Sequence, residues 1–241
     1  MIFENCKNPV KGMEKIIHLS GFEPRLNENT SEDKDPHSIV RIQSYKEFLK
    51  RKILVIHMKT DDLNIESHLK ILNIPFISLS YTDPDLVKKI NKEDYFGIII
   101  SGSRRSDSEF LPGIPEEILK SKFPKLGICY GAEVIAQYLG SSIRKQKKMD
   151  TEHSPVIAKL EKSPLFDGVD VNDNVIITMN HNNVFGCPRG CKIIASTKKT
   201  PVAGFEKIKD KIFAIQFHPE KGILGNLVFQ NFFNICKENE Q

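Results

Sequence analysis

At 241 residues, 39% of them hydrophobic and 27% charged, the chain has the composition of a globular protein with one large domain or two small ones. A formal charge of +4 is too small to mark a nucleic-acid binder by itself, and no run approaches the ~18 consecutive apolar residues of a membrane span. Five cysteines spread along the chain do not make a disulfide framework, and the start MIFENCKNPV has no apolar signal segment, so a cytoplasmic protein is expected.

Residues 1–50 differ from the remainder of the chain. NENTSEDKDPHS (27–38) is polar and charged, with proline its only apolar residue, and reads as a loop or disordered linker. An amphipathic helix is expected over about 38–50. The whole of 1–50 is taken as a polar, partly disordered extension ahead of a domain over 51–241.

From Lys52 the pattern becomes regular. ILVIH (53–57) predicts a strand buried on both faces. Ile65, Leu69 and Leu72 recur at helical spacing, with Asp61 and Asp62 near the helix start. PFISLS (75–80) is a second strand, and Leu86, Val87 and Ile90 mark a short helix. YFGIIISG (95–102) is a third strand, ending in glycine, and Pro115 opens another helix. KLGIC (125–129) is a fourth strand. Val134, Ile135, Tyr138 and Leu139 form one face of the next helix, with Gly140 suited to its C-cap. SPVIAKL, NVIITM, KIIAST and KIFAIQF then come as strands, and a helix near 225–237 closes the pattern. This predicts an α/β protein: an open, mainly parallel sheet with helices on both faces plus an antiparallel extension.

Several residues have plain structural readings. Arg144–Lys148 is a solvated loop or edge rather than a nucleic-acid stripe. Cys187 and Cys191 lie in GCPRGC with no second ligand pair at zinc spacing, so a turn is expected and no metal. His57 and His68 read as structural, and Cys6 and Cys236 as incidental.

Cys129 is different. It stands where a buried strand meets a helix, flanked by Gly127 and Gly131. Gly-x-Cys-x-Gly is the thiol counterpart of the Gly-x-Ser-x-Gly nucleophile elbow. A sharp turn there lifts the side chain above the sheet, the glycines relieve crowding, and the positive end of the following helix stabilises a charged sulfur. The backbone N–H of Tyr130 is aimed where an oxyanion would form. A thiol nucleophile needs a base and a group that orients it. In FAIQFHPE (213–220), His218 and Glu220 come after another buried strand, held two apart by Pro219. A lone His-x-Glu is weak; together with the elbow it is strong.

GICYG with FHPE resembles the class I (triad) glutamine amidotransferases, over roughly residues 52–237. SPLFDG (163–168), NHNNVF (180–185), TPVAGFE (200–206) and NLVFQNFF (226–233) have counterparts in that family, and tyrosine after the cysteine is similar to the glutaminase part of GMP synthases. The resemblance implies a flavodoxin-like fold and no cofactor. It implies that Cys129 attacks the side-chain amide of L-glutamine, that His218 passes protons, and that Glu220 orients His218. A γ-glutamyl thioester is hydrolysed and ammonia passes to a synthetase. It further implies an oxyanion hole from Tyr130 and from Gly102 or Ser103, and glutamine contacts from Asn180 and His181. His153, in TEHSP, falls near the family's region facing the glutamine site.

The sequence departs from that family in places. Its Ser-Gly-Gly-Pro turn is here Ser101-Gly102-Ser103-Arg104, where a serine forced to positive φ would be strained. Its Cys-x-Gly-x-Gln ends here in Glu133, which places negative charge near the sulfur and bears on which substrate fits. The acidic pair of GMP synthases is replaced by Asn183-Val184. No Ser-Gly-Gly-x-Asp-Ser phosphate loop occurs, so an ATP-pyrophosphatase partner is expected on a separate chain, with neither membrane nor nucleic acid involved. Two other readings stay open here: a stand-alone γ-glutamyl hydrolase, and a weak or inactive relative that binds and regulates a partner.

Overall fold

Continuous apolar runs become the centre of the sheet, and alternating ones its far side. The structure is a computed structural model that describes residues 51–58, 64–103, 113–147, 155–170 and 174–238. The extension over 1–50, the helix expected at 38–50, Asp61, Asp62, Arg104 and His153 lie outside the described residues.

In chain order the elements are β1 (Lys52–His57), α1 (Asn64–Ile71), β2 (Phe76–Ser80), α2 (Leu86–Lys92), β3 (Tyr95–Ile100), α3 (Glu116–Lys120), β4 (Lys125–Ile128) and α4 (Tyr130–Tyr138). Then come β5 (Ile143–Lys145), β6 (Val156–Leu160), β7 (Val175–Ile177), β8 (Asn183–Phe185), β9 (Lys192–Thr197), β10 (Gly204–Lys207), β11 (Ile212–Ile215) and α5 (Gly225–Lys237).

Nine strands form one sheet in the order β2-β1-β3-β4-β11-β10-β9-β6-β7. The first five run parallel, and β10, β9, β6 and β7 continue it antiparallel. β3 and β4 are buried throughout because helices cover both faces of the parallel half. In β6, Ile157 and Lys159 face solvent while Ala158 and Leu160 are buried, the alternation of a strand covered on one side. β11, read from sequence as one of the later strands, enters the parallel core beside β4. β5 and β8 make a separate two-stranded sheet that the sequence reading did not foresee, and β10 was also missed as a strand. The basic Arg144 and Lys145 are exposed on β5.

α2, α3 and α4 share one core with Leu54, Ile56, Ile98, Ile100 and Ala214. The opposite face takes α5, where Phe233 packs edge-on to Phe96 and Phe232 edge-on to Phe213. Gly97 leaves room for this: a Cβ there would come within 2.4 Å of the Cys236 sulfur. Fully buried side chains such as Ile98, Phe213 and Phe232 each stabilise the fold by about 1.5–3 kcal/mol relative to exposure. α4 ends in a Schellman turn, with Gly140 at φ +86° and its N–H bonded to Gln137 O while Ser141 N–H bonds Ala136 O. Among the described residues no helix is long and apolar enough to cross a membrane.

Candidate active site

The parallel strands deliver their carboxyl ends to one edge, where open α/β sheets place their chemistry. Cys129 follows β4 directly and has φ +51° and ψ −106°, a conformation that costs a non-glycine residue about 1–3 kcal/mol. Packing holds it there. A Cβ on Gly131 would lie 2.2 Å from the Ile100 carbonyl oxygen, and one on Gly127 would lie 2.6 Å from the Gly131 oxygen. Neither strand-to-helix flank can carry a side chain. The Cys129 N–H bonds Ile215 O at 2.8 Å, which ties the turn to β11.

β11 leads into His218 and a 3-10 turn over Pro219–Lys221. The His218 Nδ1–H donates to Glu220 Oε1 at 2.6 Å, both side chains being buried. The His218 N–H bonds Thr178 O at 2.8 Å, anchoring the ring's backbone to the end of β7. With Nδ1 on Glu220, the imidazole also hydrogen-bonds the Cys129 thiol. Burial works against a charged imidazole, but the facing sulfur and the Glu220 carboxylate outweigh it and raise its pKa to about 10. The arrangement is that of a sulfur nucleophile beside an acid–base imidazole oriented by a carboxylate.

The oxyanion-hole candidates gather around this pair. Tyr130 opens α4 immediately after the sulfur. A Cβ on Gly102 would fall 3.0 Å from His218 Cε1 and 3.4 Å from Cys129 Cβ, so the turn after β3 packs directly on both. Ser101 braces that turn: its hydroxyl donates to Gly102 O at 2.9 Å and accepts from Met58 N at 3.0 Å. The strain expected at Ser103 is absent, since the described non-glycine residues with positive φ are Asn73, Cys129 and Lys211. Strain sits at the nucleophile and not in the turn that faces it.

Glu133, one helical turn after Cys129, is buried within a polar network. Its Oε2 accepts from Asn183 Nδ2 at 3.0 Å and its Oε1 from Gln216 Nε2 at 3.4 Å. Burial raises its pKa, and the two amide donors offset only part of that. Two departures from the family pattern, Glu133 and Asn183, therefore touch each other. The sequence reading did not single out Gln216. It is fully buried, its Nε2 is 3.9 Å from the Cys129 sulfur, and its Oε1 has no hydrogen-bond partner. The signal was there: one amide inside the apolar run FAIQF.

Asn180 and His181 behave differently from each other. The Asn180 carbonyl accepts from the Cys129 thiol at 3.9 Å, and the residue is exposed beside it. The His181 ring is buried, with Nδ1 2.7 Å from Asn183 O and Nε2 3.5 Å from Thr200 Oγ1. Its nitrogens are engaged inside the protein, where they shape the loop that carries Asn180. Cys187 and Cys191 are free thiols in a turn closed by Cys191 N–H to Pro188 O, 3.1 Å. Cys236 is a buried free thiol on α5. His57 at the end of β1 hydrogen-bonds Glu66 of α1.

A mainly parallel α/β sheet with a strained thiol at its carboxyl edge, facing a histidine–carboxylate pair, defines the class of cysteine-based amide hydrolases. Residues 42–235 match the family model for class I glutamine amidotransferase, and the chain belongs to that family. The chain is 35% identical over 155 residues to GMP synthase [glutamine-hydrolyzing] of Clostridium kluyveri, covering 62% of this chain and 30% of that protein. It is also 35% identical over 155 residues to the same-named protein of Borreliella burgdorferi, covering 63% and 30%. The chain thus spans under a third of the length of these relatives. Among solved structures, a putative GMP synthase glutaminase-type subunit from Thermoplasma acidophilum superposes with a TM-score of 0.66 at 26% identity, covering 79% of this chain and 96% of that one. A glutamine amidotransferase from Thermotoga maritima, 20% identical with a TM-score of 0.56, shares the fold over 78% of this chain and 83% of its own.

Proposed function

We propose that the chain is a glutaminase that hydrolyses the side-chain amide of L-glutamine and supplies the ammonia to a separate synthetase of the GMP-synthase type. One observation carries the reading: the strained Cys129 turn is packed against the His218–Glu220 pair. The names of the curated relatives support glutamine over other γ-glutamyl compounds and support an active enzyme over a binding relative.

In this reading the Cys129 sulfur attacks the amide carbon and the oxygen takes the negative charge. The backbone N–H groups of Tyr130 and of Gly102 or Ser103 stabilise it. The imidazolium of His218 gives its proton to the amide nitrogen, the C–N bond breaks, and ammonia leaves a γ-glutamyl thioester. His218, now neutral, takes a proton from water as the water oxygen attacks the thioester carbon. The C–S bond breaks, glutamate departs, and the sulfur and imidazole return to their starting state. Glu220 holds the ring and stabilises its charge throughout. Asn180, on the loop shaped by His181, lies where the amino-acid end of the substrate would be read. Glu133 sets the charge behind the sulfur.

Ammonia and glutamate release from L-glutamine, measured for the wild type and Cys129→Ala, with and without an ATP-pyrophosphatase subunit from the same source, tests the proposal. Release that requires Cys129 and rises with the subunit is the expected result. Cys129-dependent release indifferent to the subunit would remove the synthetase from the proposal, and no release would remove the glutaminase.

A further inference from the structure

Glu220 is held by little. Its Oε1 bonds His218, while its Oε2 is buried and has no hydrogen-bond partner. Its position therefore depends on its backbone. The 3-10 turn supplies part of the hold through Lys221 N–H to His218 O at 3.2 Å and Gly222 N–H to Pro219 O at 3.0 Å. The rest comes from outside the loop. His68 of α1 places Nε2 3.2 Å from the Glu220 carbonyl oxygen and Nδ1 2.6 Å from the Asn226 side-chain amide.

The site around His68 fits an imidazole. A Cβ on Gly225 would lie 2.5 Å from His68 Cε1 and 2.7 Å from Nε2, so only glycine at the start of α5 admits the ring. The ring rests on Phe229 with centroids 5.5 Å apart. A carbonyl oxygen only accepts, so Nε2 must carry a proton. Nδ1 then donates to Asn226 Oδ1 as imidazolium, or accepts from that amide if it is turned over; both leave the Nε2 bond in place.

α1 is itself fixed. Glu66, two residues before His68 and so on the other side of the helix, hydrogen-bonds His57 of β1 and accepts from Ser78 Oγ of β2 at 2.7 Å. The helix is a strut, pinned to two strands by one side chain and to the loop of Glu220 by another. We infer that His68 is a positioning residue for the His218–Glu220 pair, acting through the backbone carbonyl of Glu220. This rests on the proposed reaction for its kinetic consequences and on geometry alone for the contact.

The test compares wild type, His68→Ala and His68→Gln by glutaminase kinetics, thermal unfolding and NMR of the His218 Nδ1 proton. Loss of the Nε2 bond should lower kcat about 10-fold in His68→Ala, within the ~100-fold that an ångström of misplacement costs, with KM unchanged. The Nδ1 proton should shift or broaden. His68→Gln, whose amide can donate to the same carbonyl, should recover most of the rate and the resonance. An unchanged kcat and resonance in His68→Ala would overturn the inference. So would losses that track the fall in unfolding temperature in both variants. If the wild type does not hydrolyse glutamine, the proposed reaction fails by itself, and the Nδ1 resonance in wild type and His68→Ala still decides whether His68 positions the pair.

Discussion

Two histidine–glutamate pairs sit at the carboxyl edge of the same parallel sheet. His218–Glu220 follows β11, next to β4; His57–Glu66 joins the end of β1 to α1, on the other side of β3. Both are buried. In the first, the free side of the imidazole meets a thiol, and the charges of Cys129 and Glu220 raise the ring's pKa despite burial. In the second, Nδ1 of His57 is buried with no partner, and Glu66 accepts from Ser78 as well. Burial pushes the Glu66 carboxyl up, but the hydrogen bonds from His57 and Ser78 bring it below its ordinary value. The same two residue types thus close a packing problem at one place and build an acid–base group at the other. The difference is the neighbour: a nucleophile in a conformation that points it at the ring.

That contrast can be broken at several points. Cys129→Ala should lower glutamine hydrolysis by ~10³-fold or more. It should also move the His218 pKa from about 10 toward its ordinary value, read from the imidazole proton shifts. The sign for stability comes from linkage. A raised pKa makes His218 stabilising below about pH 6.5, and that contribution is lost as pH rises through about 10. Urea unfolding from pH ~6 to ~10 should show this fall in wild type and a shallower one in Cys129→Ala. Glu220→Gln should cost ~10²-fold in kcat, because a neutral amide no longer stabilises the imidazolium; retention of full kcat would dissolve the distinction between the pairs.

The opposite signature is expected at the other pair. His57→Ala should leave kcat unchanged while lowering unfolding free energy by about 3 kcal/mol, since Glu66 is left buried without its main partner. The smallest effect belongs to Glu133→Gln. Removing a carboxylate from behind the sulfur should speed iodoacetamide alkylation of Cys129 a few-fold, and an unchanged or slower rate would show that Asn183 and Gln216 already neutralise its influence.

Much of this was legible in the sequence. ILVIH, YFGIII and KLGI are apolar without interruption because both faces of those strands are covered, and that pattern alone placed Cys129 at a carboxyl edge. The glycines beside Cys129 were legible as turn residues, and the close contacts of 2.2 Å and 2.6 Å now give the reason. Strand order was not legible. Nothing in KIFAIQF says that β11 inserts between β4 and β10, because periodicity reports faces and not neighbours. β5 and β8, three residues each, are too short for any period to register. Glu133 and Asn183 looked like two separate departures because 50 residues divide them, and only the fold shows that they form one hydrogen-bonded unit. Likewise the role of His68 depends on a backbone carbonyl 152 residues away, which no side-chain pattern encodes.

The backbone angle at Cys129 has a consequence for how such a chain drifts. At φ +51° and ψ −106° a glycine is at ease and a cysteine is not, so exchanging Cys129 for glycine should stabilise the isolated fold by about 1 kcal/mol. Mutation without selection on the thiol therefore runs downhill, toward loss of the sulfur and a sturdier molecule. A cysteine at this position stands against that gradient, and each generation that retains it forgoes stability for reactivity.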